Sequence, residues 1–247
     1  MRIPITTNFK PLKLLVSLES SGRGFAMLRV SDPYYFRTDY LRRRIPFTKR
    51  RNRVIEIPLP FSPRIVSLEV LGRVSIKDIR KELLPEKKVW AIPERHHFME
   101  LAEEFAKRAG YLPRGNYTTS DGRFRIEYLD KIRDENGMVL STPARISRTT
   151  GRVQIAKEQF KTFSIPVRLA ILAHEGCHYF LGTRSEERAD LCGMKWYLDS
   201  GYPKIEAVYA ATKVFRHFPE IVGPDEVERT RTLIEFIKNH PEPYGRN

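Results

Sequence analysis

Acidic residues are in short supply: 30 Asp and Glu stand against 44 Lys and Arg in 247 residues, leaving a formal charge of +14. That excess favours acidic or polyanionic partners and keeps a chain in solution, but it carries no information about fold. Cysteine is scarcer still. Two residues, Cys177 and Cys192, exclude the multi-bridge framework that small secreted domains need, and their apolar helical contexts predict buried free thiols. Long apolar runs are missing too, since no stretch approaches the roughly 20 residues that cross a bilayer. Near the N-terminus "LKLLVSL" is short, interrupted by Lys13 and followed by no small-residue cleavage site. These absences predict a chain that is neither secreted nor membrane-spanning, used in the cytoplasm or inside an intracellularly assembled particle such as a virion.

What is present describes a globular protein. Hydrophobic residues make up 41% and charged residues 30%, and the length suffices for one large domain or two small ones. Residues 1–75 read as β: "KLLVSLE", "GFAMLRV", "RVIEIPLP" and "RIVSLEVLG" are short, apolar and separated by Gly, Pro and Ser turns. A small antiparallel sandwich or barrel serving as an accessory or interaction domain is expected, with prolines 46, 58, 60 and 63 suiting edge strands. Inside it, Arg37–Arg53 ("RTDYLRRRIPFTKRRNR") is the most basic segment. It reads either as a phosphate-contacting hairpin with Tyr40 and Phe47 interleaved, as a site for an acidic protein or polyanion, or as a solvated loop or charged strand edge. No nucleic-acid-binding module surrounds it, so no residue is assigned to nucleic acid.

Residues 76–93, "IKDIRKELLPEKKVWAIP", read as a linker or short helix. Residues 94–247 then form the second domain, mainly helical with a small sheet, so the class is α+β. "PERHHFMELAEEFAKRAGY" has helical spacing with Gly110 as its stop, "GRFRIEYLD" alternates as a strand, and "PARISRTTGRVQIAKEQF" reads as a hairpin. Helices are expected over 164–180 and roughly over 185–199, 203–217 and 225–239. Adjacent His96 and His97 point in different directions on a helix and do not make a metal pair.

The informative stretch is "ILAHEGCHYFLGTRSEERADLCG". His174 and His178 are an i,i+4 pair, so a helix places both imidazoles on one face where they can converge on a cation. Glu175 projects from a neighbouring angle, where a general base belongs. After Gly182, Thr183 or Ser185 can cap a second helix, and Thr183 with Glu186 fits a capping box. A four-residue reversal would fold Glu186 and Asp190, which share a face, back against the histidines. Two His plus one Glu is a common ligand set for zinc with an open fourth position. Glu186 therefore completes the ligands, with Glu187 as the alternative, and Asp190 can orient a ligand histidine. Tyr202, Tyr209 and His217 are candidates for stabilising an oxyanion, each also readable as a packing residue. Gly176 in the first helix implies close approach of another element, and Cys177 faces away from the ligand side.

"HEGCH" followed by "EERAD" resembles the gluzincin metallopeptidases, HExxH then ExxxD, above all the minimal forms that keep the core helices and a small sheet. The likeness covers about residues 94–220, and "ADLCGMKWYLDSGYPKIEA" is also similar to small peptidase-like proteins of tailed phages. The resemblance implies a zincin-like second domain that hydrolyses peptides or proteins. It makes His174, His178 and Glu186 zinc ligands, Glu175 the base and Asp190 the supporting carboxylate. It also makes "GRVQIAKEQF" the edge strand that receives an extended substrate. The alternative function is a structural or assembly protein, a phage virion component for instance, that uses the peptidase-like fold as scaffold within a larger assembly.

Overall fold

A computed structural model describes residues 1–35, 37–48, 51–84, 93–215 and 224–241. It is a mixed α+β structure with antiparallel sheets and six α-helices among those residues. The first seven strands are β1 (Arg2–Thr6), β2 (Leu12–Ser20), β3 (Gly24–Ser31), β4 (Asp39–Phe47), β5 (Arg51–Leu59), β6 (Ile65–Gly72) and β7 (Val74–Leu83). They form a four-stranded sheet ordered β1-β6-β3-β4 and a three-stranded sheet ordered β5-β2-β7. Strict alternation drives this: Leu12, Leu14, Val16 and Leu18 of β2 are all buried while the residues between them are half-exposed.

Two expectations for this region change. The stretch expected as a linker or short helix is, up to Leu83, the strand β7 paired with β2. Its period is hidden because Lys77 bulges out where Ser17 and Leu18 pair with Asp78 and Ile76, which puts Ile76 and Ile79 three apart. Residues 85–92 lie outside the described set. The basic segment is not a hairpin either: β4 and β5 are edge strands of different sheets. Tyr40 and Phe47 are core residues rather than interleaved surface aromatics. Arg43 turns inward to the carboxylate of Glu206, and Arg44 stacks over Phe25. Both strands are charged sheet edges, a placement that disfavours edge-to-edge pairing.

The remaining elements are α1 (Pro93–Arg108), β8 (Gly115–Thr118), β9 (Arg125–Leu129), β10 (Ala144–Ile146), β11 (Arg152–Ala156), α2 (Lys157–Phe160), α3 (Ile165–Phe180), α4 (Glu186–Asp199), α5 (Lys204–Tyr209) and α6 (Pro224–Asn239), with a π-helical turn at Ala210–Val214. Their sheet is ordered β10-β11-β9-β8. The β10–β11 hairpin is antiparallel as expected, and β11 runs parallel to β9. β11 is therefore an interior strand, and the edge is β10; the expectation that "GRVQIAKEQF" supplies the edge is corrected.

α3 is the hub. Every residue from Ile165 to His178 is buried, so this helix is enclosed on all sides rather than amphipathic. Arg168, fully buried on it, donates to the carbonyls of Phe160 (3.3 Å), Ala106 (3.0 Å), Arg37 (2.8 Å) and Lys161 (2.8 Å). One guanidinium thus ties α3 to α1, to the end of α2 and to the loop before β4. Burial pushes its pKa down to about 10, so the charge persists at neutral pH. A second polar tie comes from Glu206 on α5, which accepts from the Arg43 guanidinium, the Arg42 amide (3.1 Å) and the Ser164 hydroxyl at the start of α3. No described helix is long and apolar enough to cross a membrane.

Candidate metal centre

The turn that brings the two polar helices together is short and fully accounted for. α3 closes at Leu181, Gly182 takes a left-handed conformation (φ 56°), and the Thr183 amide donates back to the His178 carbonyl at 3.2 Å. Ser185, not Thr183, is the N-cap of α4 and accepts from the Arg188 amide; Thr183 Oγ1 instead accepts from the Ser185 amide at 3.1 Å.

α4 then packs tightly on α3. A β-carbon at Gly193 would lie 2.6 Å from the His174 α-carbon, and one at Gly176 would lie 2.4 Å from the Phe98 ring. The close approach expected at Gly176 is therefore made by α1. Cys177 and Cys192 are joined in a disulfide across α3 and α4, with α-carbons 6.0 Å apart. The expectation of free thiols is thereby corrected. Both cysteines lie in helices, as expected, but the helices are antiparallel neighbours that meet at those positions.

The convergence of side chains is specific. His174 Nε2 and His178 Nε2 are 3.1 Å apart, and the Glu186 carboxylate oxygens stand 3.4 Å and 3.5 Å from them respectively. For bonds of about 2.0–2.1 Å to zinc, a tetrahedral site has ligand–ligand edges of roughly 3.3–3.4 Å. The two histidine–carboxylate distances, each to a different oxygen of Glu186, lie close to that figure, and the histidine nitrogens at 3.1 Å stand slightly inside it, so the three side chains could meet at one ion with a small adjustment. Tautomers fit as well. His178 Nδ1 lies 2.9 Å from the Thr183 carbonyl oxygen, and His174 Nδ1 lies 2.9 Å from Asp190 Oδ1. The Thr183 carbonyl accepts from His178 Nδ1, and Asp190 stands at ion-pair distance from His174 Nδ1 without a well-aligned hydrogen bond, so both Nε2 atoms remain turned toward the shared point. Two lone pairs and a carboxylate aimed at one another are stable only with a cation or protons between them. Glu186 is the third member of this group, and Glu187, exposed on α4, is not part of it.

Protons answer that need in the absence of metal. Burial works against a charged His174, but contacts with Asp190 and Glu186 and the nearby Glu175 outweigh it and push the pKa up to about 10. His178 is also raised, first by its contact with Glu186. Glu175, buried beside the trio, is raised chiefly by loss of solvent, while a hydrogen bond from the Ile146 amide of β10 works in the opposite direction. A buried carboxyl whose pKa is raised, beside convergent imidazoles, is placed to exchange a proton with a group held between them.

The trio opens on a cavity of about 360 Å³ lined by β10, the segment before it, Arg148, Arg184, His174, Glu175, His178 and Glu186.

One contributor was invisible in the sequence. Arg229 on α6 places Nε and Nη2 each 2.6 Å from Asp190 Oδ2, and its Nη2 is 3.6 Å from Glu186 Oε2. It sits far downstream of the motif with no local pattern to mark it. Other candidates lie elsewhere. Tyr202 is buried against Phe61 and Tyr197 and donates to Glu103 Oε1 at 2.7 Å, so its hydroxyl is spent on α1 and does not line the cavity. Tyr209 lies under the Arg43 guanidinium. His217 lies outside the described residues. His96 pairs with Glu100 at 3.2 Å and His97 lies 3.8 Å from Asp121, away from the trio. No protein family matches this chain, and no curated protein or solved structure is detectably similar to it.

Proposed function

We propose that this chain is a zinc-dependent peptidase of the gluzincin type, in which a β-sandwich accessory unit precedes a zincin-like catalytic unit. The observation that carries the reading is the convergence of His174, His178 and Glu186, each with a ligand atom within 4.8 Å of the others, beside the buried carboxyl of Glu175. These three residues would hold the metal. Zinc bound there supplies Lewis acidity toward a carbonyl oxygen and toward water. The chain's own residues do the rest. β10 offers its open edge to an extended peptide, beside the carboxyl that its Ile146 amide holds in place. Glu175 takes a proton from the attacking water on its carboxylate and delivers it to the leaving amine. Asp190 holds His174 through Nδ1, the Thr183 carbonyl holds His178, and Arg229 fixes Asp190 from behind.

The test is metal analysis of purified protein followed by Glu175→Gln. One equivalent of zinc is expected, with peptide hydrolysis lost and zinc retained in the variant. Absence of zinc, or hydrolysis unchanged in Glu175→Gln, overturns the reading. Bound zinc without any turnover would instead support the scaffold or assembly role.

A further inference from the structure

The cavity over the trio is walled by cations in a way that hydrolysis as such does not require. Three arginines line it, Arg145, Arg148 and Arg184, against two carboxylates, Glu175 and Glu186. One of those carboxylates is counted among the metal's ligands, so a divalent ion leaves the cavity strongly positive.

The arginines are not equivalent. Arg145 is committed to the fold: its Nε donates to Gln154 Oε1 at 2.7 Å and its Nη2 to the Arg133 carbonyl at 2.8 Å. Arg148 and Arg184 are exposed, and among the described residues neither side chain has a hydrogen-bond or ion-pair partner. Their neighbours matter. Arg148 lies two residues beyond Ile146, whose amide holds Glu175, and Arg184 follows Thr183, whose carbonyl orients His178. Two uncommitted guanidiniums are thus attached to the two backbone stretches that position the base and a ligand. Arg29, Arg43, Arg114, Arg123 and Arg229, by contrast, all meet carboxylates. A guanidinium presents a planar fork that matches a carboxylate oxygen pair, which an ammonium does not.

We propose that the cleft selects peptides carrying carboxylates next to the bond held over His174, His178 and Glu186, and that Arg148 and Arg184 are the residues that read them. This rests on the peptidase reading for the reaction but not for the recognition. Acidic peptides also suit a chain of net charge +14 on approach, because long-range attraction raises the encounter rate. The local guanidiniums add position to that general pull.

The experiment uses the full chain loaded with zinc and one peptide backbone in four forms. Residues flanking a central apolar pair are Asp and Glu, or Asn and Gln, each with a free or an amidated C-terminus. Turnover is read as kcat/KM on the wild type, and binding is read by fluorescence anisotropy on Glu175→Gln. The acidic forms are expected to exceed their amide counterparts by about tenfold in both readouts. Arg148→Gln and Arg184→Gln should each remove most of that difference, whereas Arg23→Gln, the same charge loss in the N-terminal β region, should leave it. A preference that survives C-terminal amidation assigns the carboxylate to side chains; one abolished by amidation assigns it to the chain end. Equal behaviour of acidic and amide peptides, or the same loss in Arg23→Gln, overturns the proposal. Acid-selective binding without turnover would keep the recognition and remove the hydrolysis, and turnover without acid selectivity would do the reverse.

Discussion

The backbone of Gly193 on α4 rests directly on that of His174 on α3, so close that a β-carbon at 193 would stand 2.6 Å from both the amide nitrogen and the α-carbon of His174. The obstacle is backbone and cannot swing aside. Gly193→Ala should therefore push α4 away from α3, carrying Glu186 and Asp190 with it. The expected cost is about 2–3 kcal/mol of stability, with loss of stoichiometric zinc. Denaturant titration and metal analysis of the same preparation check it; an unchanged zinc content would show that the helix contact does not set the ligand spacing.

In the proposed zinc site, Asp190 and Arg229 would support the ligands without joining them. Asp190→Asn keeps the shape but weakens the acceptor for His174, and should reduce zinc affinity by about 10–100-fold. Arg229→Gln should act in the same direction through Asp190 and Glu186. Competition with a chromophoric chelator measures both, and full affinity in either variant would refute the assigned role.

If the proposed site takes zinc, acid should oppose its binding. With metal absent, His174 titrates near 10, well above its ordinary 6.5, because Asp190 and Glu186 favour the imidazolium over the penalty of burial. Zinc must displace that proton, so at neutral pH binding should release protons and the affinity should rise with pH. Calorimetry in buffers of different ionisation enthalpy counts the protons. For the metal-free fold the sign is opposite: the folded pKa is raised, so the stabilisation is complete below about pH 6.5 and disappears as pH climbs through about 10.

Glu206 on α5 gives a second pH dependence. Burial raises its pKa from 4.5 to about 7 against the pull of Arg43, Ser164 and the Arg42 amide. A raised carboxyl binds its proton more tightly in the fold, so its contribution is complete below about pH 4.5 and fades as pH rises through about 7. Glu206→Gln should flatten the stability profile across that interval, and a profile identical to wild type would contradict the assignment.

The Cys177–Cys192 bridge closes a short loop, with a sequence separation of 15. Reduction, or Cys192→Ala together with Cys177→Ala, should lower stability by about 3 kcal/mol on chain-entropy grounds. A mass shift on alkylation before and after reductant reports the bridge itself, and thermal unfolding reports its effect.

Much of the candidate site could be read locally. His174 and His178 share a face because four residues make one turn, and Glu186 and Asp190 share theirs for the same reason. The turn between them was bounded by Gly182 and the capping residues, although Ser185 rather than Thr183 proved to be the cap. Strands β2, β3, β5, β6 and β9 and helix α1 announced themselves by period, as with the alternation of β2. β7 did not, because one bulged lysine breaks its alternation and none of its side chains is fully buried.

What only tertiary structure decided are the relations between distant elements. Arg229 reaches Asp190 from α6, Ile146 holds Glu175 from β10, and Cys177 meets Cys192 because two antiparallel helices cross at glycine. β11 lost its place as the edge to β10, since pairing partners on both sides depend on β9, which lies before the hairpin in the chain. Periodicity reports which face of an element is apolar, and that is a property of a few neighbouring residues. Which element covers that face depends on packing the whole chain at once, and no local pattern encodes it.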